Sequence, residues 1–404
     1  MIFRYSLLAL LFAITAPAAD NAAQATRAMA DRVERMWPAG VVQQVGHPGS
    51  WGYEVGILLD GVAAEAAVKP SNADYAYLKT AVDRFLLPDG SIRMDGPDKP
   101  VRAYPSAEHT LDDIELGRAV LGVYERTHEE RYKAAAKFLR ARLAEQPKTA
   151  SGGFWHKQIY PNQMWLDGAY MAGPFLAEYG KVFNEPADFD EVSKQLLLMD
   201  AHMRDPKTGL LRHGWDESRT MPWADKTTGL SPEAWGRADG WYAMALVDVL
   251  AILPEKDPQR AALIDDLQRT MAAVVKVQDA QSGLWWQLMD KGGREGNYFE
   301  ASASCMFTYA LARGAKAGWL PASDAGNARR GWEGIQSHFI KTTADGPVLT
   351  TTVRVGGLGG KPYRAGDYAY YVGEKVQDDD PKGIGSYLKA GAAMQALDAG
   401  PPLP

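Results

Sequence analysis

The feature that most constrains this chain is a rhythm of helix pairs. Apolar spacing and breakers mark twelve helical segments, near 22–36, 52–68, 72–86, 110–127, 129–146, 163–181, 187–203, 233–252, 257–279, 298–316, 324–341 and 383–398. Links within a pair are short, as at Thr127-His128, Glu185-Pro186 and Leu253-Pro254, while those between pairs are long and aromatic, as across 87–108, 147–162, 205–230 and 280–297. Alternate segments share a texture, aromatic or charged residues first and small apolar ones after: YEVGILLDG, LDDIELGRAVL, WLDGAYMAG, WGRADGWYAMAL, YFEASASCMFTYAL and GIGSYLKAGAAM. A pair of this kind cannot bury its apolar faces alone and must stack on its neighbours. Six pairs can close into a ring with the small-residue helices inside. The expected fold is therefore all-α, an (α/α)6 toroid with short β segments in the loops; an open solenoid is the alternative. In a closed ring the long loops gather at one end, and the inner-helix starts point into the pocket they build.

Gly209–Gly214 and Gly283–Met289 read as extended, with glycines bounding apolar or aromatic residues. Val348–Tyr371 reads as strand, glycine loop, strand. That loop lacks the Lys-Ser/Thr pair of a P-loop and leads into no helix, so it is not a phosphate cradle.

The first residues carry Arg4, an apolar run Leu7–Ile14 and small residues through Ala16–Ala19. This is a signal-peptide pattern over 1–19, cleaved after Ala18 or Ala19, too short to anchor in a bilayer. The expectation is an exported protein, periplasmic or secreted, with no membrane span after cleavage. No low-complexity linker interrupts the chain beyond this leader, so 20–404 is read as one domain. Its 404 residues and 46 % hydrophobic content are ample for a large core. Cys305 is the single cysteine, so neither an intrachain disulfide nor a Cys-rich zinc site can form. With no H-E-x-x-H, the chain offers no zinc-hydrolase ligand set, and Gly385-Ser386-Tyr387 forms no nucleophile elbow. A net charge of −6 without a Lys/Arg stripe argues against a nucleic-acid partner.

Chemistry concentrates in Phe154–Phe175, FWHKQIYPNQMWLDGAYMAGPF. After the turn at Tyr160-Pro161-Asn162, Gln163 onward reads as a helix start, and Asp167 sits near it among indole and phenol rings. Rings stack on the C–H face of a sugar, and desolvation by them would raise the pKa of Asp167 until it can give a proton at neutral pH. The plain alternative is an aromatic core with an Asp favoured by the helix dipole.

With these residues laid out, the chain resembles glycoside hydrolase family 105, the unsaturated rhamnogalacturonyl hydrolases, a family related to the unsaturated glucuronyl hydrolases. The matching pieces are LDDIELG (111–117), GGFWHKQIYPNQMWLDGAYMAGPFLAEY (152–179), GLLRHGWDES (209–218), WGRADGWYAMALVDVL (235–250) and GNYFEASASCMF (296–307). GLGG, YYV and KGIGSYL come after them between 357 and 388. The resemblance implies an α/α toroid that hydrates the C4=C5 double bond of a terminal unsaturated uronic acid on lyase-generated acidic oligosaccharides, with no metal or organic cofactor. It implies Asp167 as general acid and base, and Asp112 in LDDI as the second acid, with Asp113 the lesser choice. Thr110 stands where the family often has Asn. Arg237 becomes the foremost partner for the substrate carboxylate, ahead of His213, His156 and Lys157. Trp215, Trp235, Trp241 and Trp165 would wall the sugar, and Trp51 and Tyr53 would close the opposite side, although at least one ring is expected in the core. The sugar beyond the uronate would meet loops 87–108 and 347–368, where the family texture is weakest. Two other readings stay open: an inverting glycosidase using Asp112 and Asp167 on a saturated acidic sugar, and a non-catalytic sugar-binding protein.

Overall fold

A computed structural model describes residues 18–40, 51–93 and 108–399. Residues 1–17 of the expected leader 1–19, most of the 87–108 loop and the last residues lie outside these. All twelve expected helices are present. Six form an inner ring: α2 (Tyr53–Val68), α4 (Gly117–Thr127), α6 (Asp167–Phe183), α8 (Gly236–Ile252), α10 (Ala301–Lys316) and α13 (Pro381–Asp398). Each packs on the next, and α13 returns to α2, which closes the toroid. Outside lie α1 (Ala18–Met36), α3 (Asn72–Asp83), α5 (Glu130–Ala144), α7 (Ala187–Met203), α9 (Arg260–Lys276) and α11 (Asp324–His338), each against inner helices.

Most inner helices are buried nearly all round, as α8 shows from Gly236 to Leu250, and carry small residues where backbones meet, whereas α4 leaves Gly122, Glu125 and Arg126 exposed. At Gly385 an added Cβ would lie 2.1 Å from the Ile57 carbonyl oxygen, and at Gly61 one would lie 2.7 Å from that of Gly385. The axis is filled by a polar column to which every inner helix contributes. Arg118 (α4) reaches Asp60 (α2) and donates to the Tyr170 hydroxyl (α6) at 2.8 Å. Lys389 (α13) bonds Asp248 (α8) at 2.8 Å, and the Tyr309 hydroxyl (α10) donates to the same carboxylate. The two cations hold Asp248 far below the usual carboxylate range, although burial alone would raise it.

Three two-stranded ladders decorate the loop end. Gln163–Trp165 (β1) pairs antiparallel with Gly214–Asp216 (β2), Ile340–Thr343 (β3) with Gly346–Leu349 (β4), and Thr352–Val353 (β5) with Val376–Gln377 (β6). Two expectations are corrected here. Gln163 opens a strand, because its neighbours bond across to β2, and the helix starts only at Asp167. The second half of Val348–Tyr371 is not a strand but a short helix, α12 (Tyr368–Gly373), capped by Asp367 accepting from the Tyr370 amide. Among the described residues no helix is long and apolar enough to cross a membrane.

The close approach of α2 and α13 gives a test. Gly385→Val has nowhere to place its side chain and should lower the unfolding free energy by about 3 kcal/mol, read from the denaturation midpoint; an unchanged midpoint would contradict this packing.

Candidate active site

The β1–β2 ladder builds the centre of the site. Its register sets Trp165 opposite Gly214, where an added Cβ would crowd the Trp165 indole at 3.3 Å and Leu358 at 2.4 Å. Just past the ladder the Leu166 amide donates to the His213 carbonyl at 3.0 Å, which brings His213 beside the first residue of α6. His213 Nε2 then meets Asp167 Oδ2 at 3.0 Å, and His213 Nδ1 meets the Tyr371 hydroxyl at 2.5 Å. His213 and Tyr371 are fully buried, whereas the Asp167 side chain keeps 17 % of its surface open to a ligand.

This arrangement reverses the expected protonation of Asp167. Burial does push its pKa up, and Asp112 adds to that push. The charge and hydrogen bond of His213 outweigh both, so Asp167 is held below the ordinary carboxylate value and rests ionised.

Asp112 lies on a single 3-10 turn, Leu111–Asp113, rather than in a regular helix. The Leu111 amide donates to the His156 carbonyl and the Gln158 amide to that of His109, zipping this turn to the segment after Trp155. Lys157 Nζ therefore reaches Asp112 Oδ2 at 2.5 Å, with His156 Nε2 3.5 Å from Oδ1. Lys157 serves Asp112 in this structure. His156 is no cation at neutral pH: burial drives its pKa down to about 4.

The rings divide into two groups. Trp165 stacks on His156 at 4.7 Å and on Tyr160 at 4.8 Å, and presents its edge to His213. Trp235 backs the site, stacked on Tyr371 and 4.8 Å from His213, with Nε1 bonded to Gln287. Trp241 stacks on Tyr170 in the axis and takes the edge of Tyr53. Trp51 packs on Phe85 and donates to the Asp113 carbonyl, and Trp215 stacks on His202 on the other face of its ladder. All five tryptophans are 5 % exposed or less, so they shape the cup from behind; half-buried Tyr53 is the ring that fronts an open groove, of about 750 Å³, with Arg354 and Tyr370.

Arg237 is not placed to meet a ligand. Only 2 % exposed, it donates from Nε to Ser302 at 2.9 Å, bonds the Val353 carbonyl, and lies 3.6 Å from Glu300. Sequence reasoning missed a different arginine. Arg364 donates to the carbonyls of Gly359 and Leu358 and, at 2.8 Å, to the Tyr160 hydroxyl, with its guanidinium 5.8 Å from the Trp165 ring. Its partners are all neutral; no ion pair to a carboxylate of the described residues counters it. Gly357 makes room for it, since an added Cβ there would lie 2.1 Å from Nη1. Tyr371, also missed, belongs to the quoted YYV, and only the adjacent capping Asp367 hinted that the segment turns helical. No three His, Cys, Asp or Glu side chains among the described residues are placed to hold a metal ion.

A partly open carboxylate backed by a histidine, with a second carboxylate nearby at the loop end of an (α/α)6 toroid, is the equipment of a glycoside hydrolase. The sequence matches Glycosyl Hydrolase Family 88 over residues 24–397, and the chain belongs to the glycoside hydrolase 88/105 group. A family 105 glycoside hydrolase of C. acetobutylicum ATCC 824 superposes with a TM-score of 0.85 at 38 % identity, over 91 % of this chain and 98 % of that one. Protein Atu3128 of Agrobacterium fabrum is 41 % identical over 56 % of this chain and 99 % of its own length. The unsaturated rhamnogalacturonyl hydrolase YesR of Bacillus subtilis is 28 % identical over 65 % of this chain and 70 % of its own.

The depressed pKa of His156 has a thermodynamic consequence. Between about 4 and its ordinary 6.5 the unfolded chain binds a proton that the folded chain refuses, so stability falls as pH drops through that window. From pH 7 to pH 4 the wild type should lose about 3 kcal/mol more than His156→Gln, measured by urea denaturation at each pH. Parallel profiles would mean that His156 is not buried neutral.

Proposed function

We propose that this glycoside hydrolase removes a terminal C4=C5 unsaturated uronic acid from lyase-generated oligosaccharides, of the rhamnogalacturonyl type, by hydrating the vinyl ether. The observation that carries the reading is the open Asp167 carboxylate held by buried His213 within the aromatic cup. The similarity to YesR supports the choice of substrate.

The proposed steps derive from the charges. Asp167 rests ionised, and the arriving uronate brings a second negative charge while displacing water. Both changes raise its pKa, so Asp167 takes up a proton from solvent as the complex forms. Asp167 gives that proton to C4, leaving an oxocarbenium centre at C5 and the ring oxygen. Asp112, paired with Lys157 at 2.5 Å, faces that positive charge. Asp167 then takes a proton from water as its oxygen bonds to C5. The resulting hemiketal opens to a C5 ketone, and the hemiacetal left at C1 releases the next sugar. Arg364, the cation near Trp165 without an acidic partner among the described residues, receives the uronate carboxylate in this reading; Arg237 does not. The 1–19 leader pattern supports export as the setting.

Incubation with a lyase-generated disaccharide should abolish the ultraviolet absorbance of the conjugated C4=C5 carboxylate. Asp167→Asn should slow that loss by about 10²–10⁴-fold while still binding; wild-type rates in this variant would sink the mechanism. Activity confined to the saturated sugar would instead favour an inverting glycosidase. Arg364→Ala should raise KM for the free acid by about 10–100-fold and leave the methyl ester unaffected. An equal penalty on acid and ester would remove Arg364 from carboxylate binding without touching the role of Asp167.

A further inference from the structure

At the end of the ring away from the loops, α2 and α4 part. The helices carry Ala63, Ala64, Ala119 and Gly122 where they face each other, and a Cβ added at Gly122 would meet nothing within 4 Å. The gap is a cavity of about 590 Å³, the size that holds a small organic molecule. Its walls are apolar, with Leu59 from α2, Ala76 and Leu78 from α3 and Val123 from α4. Its floor is the polar column, where Asp60 is matched by Arg118 and Asp248 by Lys389.

The cations around this cavity are unevenly paired. Five basic and three acidic side chains line it, Asp248 behind the floor neutralises one more base, and Asp83 holds Lys79 at 2.8 Å. Two arginines have no carboxylate of their own among the described residues. Arg126 stacks on Tyr75 at 3.4 Å and pairs with no carboxylate of the described residues. Arg313, 39 % exposed, reaches the Tyr309 hydroxyl at 2.5 Å and lies 3.5 Å from an Asp248 that Lys389 already neutralises. An apolar chamber with under-used guanidinium groups in its lining, in a chain of net charge −6, selects against cations and against small hydrated anions. We propose that this cavity is a second ligand site, separate from the sugar site, and that it takes an amphipathic organic carboxylate with its hydrocarbon body between α2 and α4.

Octanoate is the probe. At ten times its Kd it should raise the Tm of the full-length protein by about 2 °C, whereas acetate and the uncharged hexyl glucoside should not. Gly122→Trp, placed where an added Cβ meets nothing within 4 Å, should fill the chamber and abolish the shift, and Arg126→Ala should weaken octanoate at least about 10-fold by calorimetry. Both variants should turn over sugar substrate at the wild-type rate. The proposal fails if octanoate leaves Tm unmoved, if Gly122→Trp responds like the wild type, or if hexyl glucoside binds equally well, which would mark the cavity as indifferent to charge.

Discussion

The interaction on which this architecture depends is the pairing of buried charges along the toroid axis. Small-residue helices can approach one another closely, but their polar side chains then point into a space with little water. Asp248 is the extreme case, buried and ionised, tolerable only because Lys389 and Arg118 stand at 2.8 and 3.2 Å. Since the partners come from different helices, no single pair satisfies its own share of the column. The ring must therefore close before the charges are matched, which ties the helix count to the polar pattern as well as to apolar burial.

The same logic sets the reactive end. Asp167 and His213 lie 46 positions apart with all of α7 between them. They meet because two three-residue strands zip across the loops, and because Gly214 leaves room for Trp165. Rings alone would make Asp167 a reluctant anion; the histidine behind it makes it a willing one. In the proposed mechanism the acid is then prepared by arrival of a charged ligand rather than by the empty pocket.

Much of the fold was legible. Aromatic or charged starts followed by small residues in alternate helices, short intra-pair links and long aromatic loops are local properties, and they sufficed for the ring. The candidate site was legible in part. Asp167, Asp112, His213, His156, Lys157 and Trp165 come together at one end, whereas Arg237 ties α8 to α10 and the β5 segment, and Trp51, Trp215 and Trp241 pack in the core. The difference is physical. A sequence shows that an arginine exists but not whether Glu300 has already claimed its charge. Gln163 was misread for a similar reason, since a strand three residues long is defined by its partner across the ladder. Arg364 and Tyr371 were invisible because their roles arise from contacts 204 and 158 positions away.

Those long separations matter while the chain is being made. Acid and histidine emerge from the ribosome well before Tyr371, which holds the far side of the imidazole and follows the histidine by 158 positions. A nascent or C-terminally clipped chain would carry Asp167 with its histidine lacking that hydrogen bond. In the proposed mechanism, competence thus waits on α12.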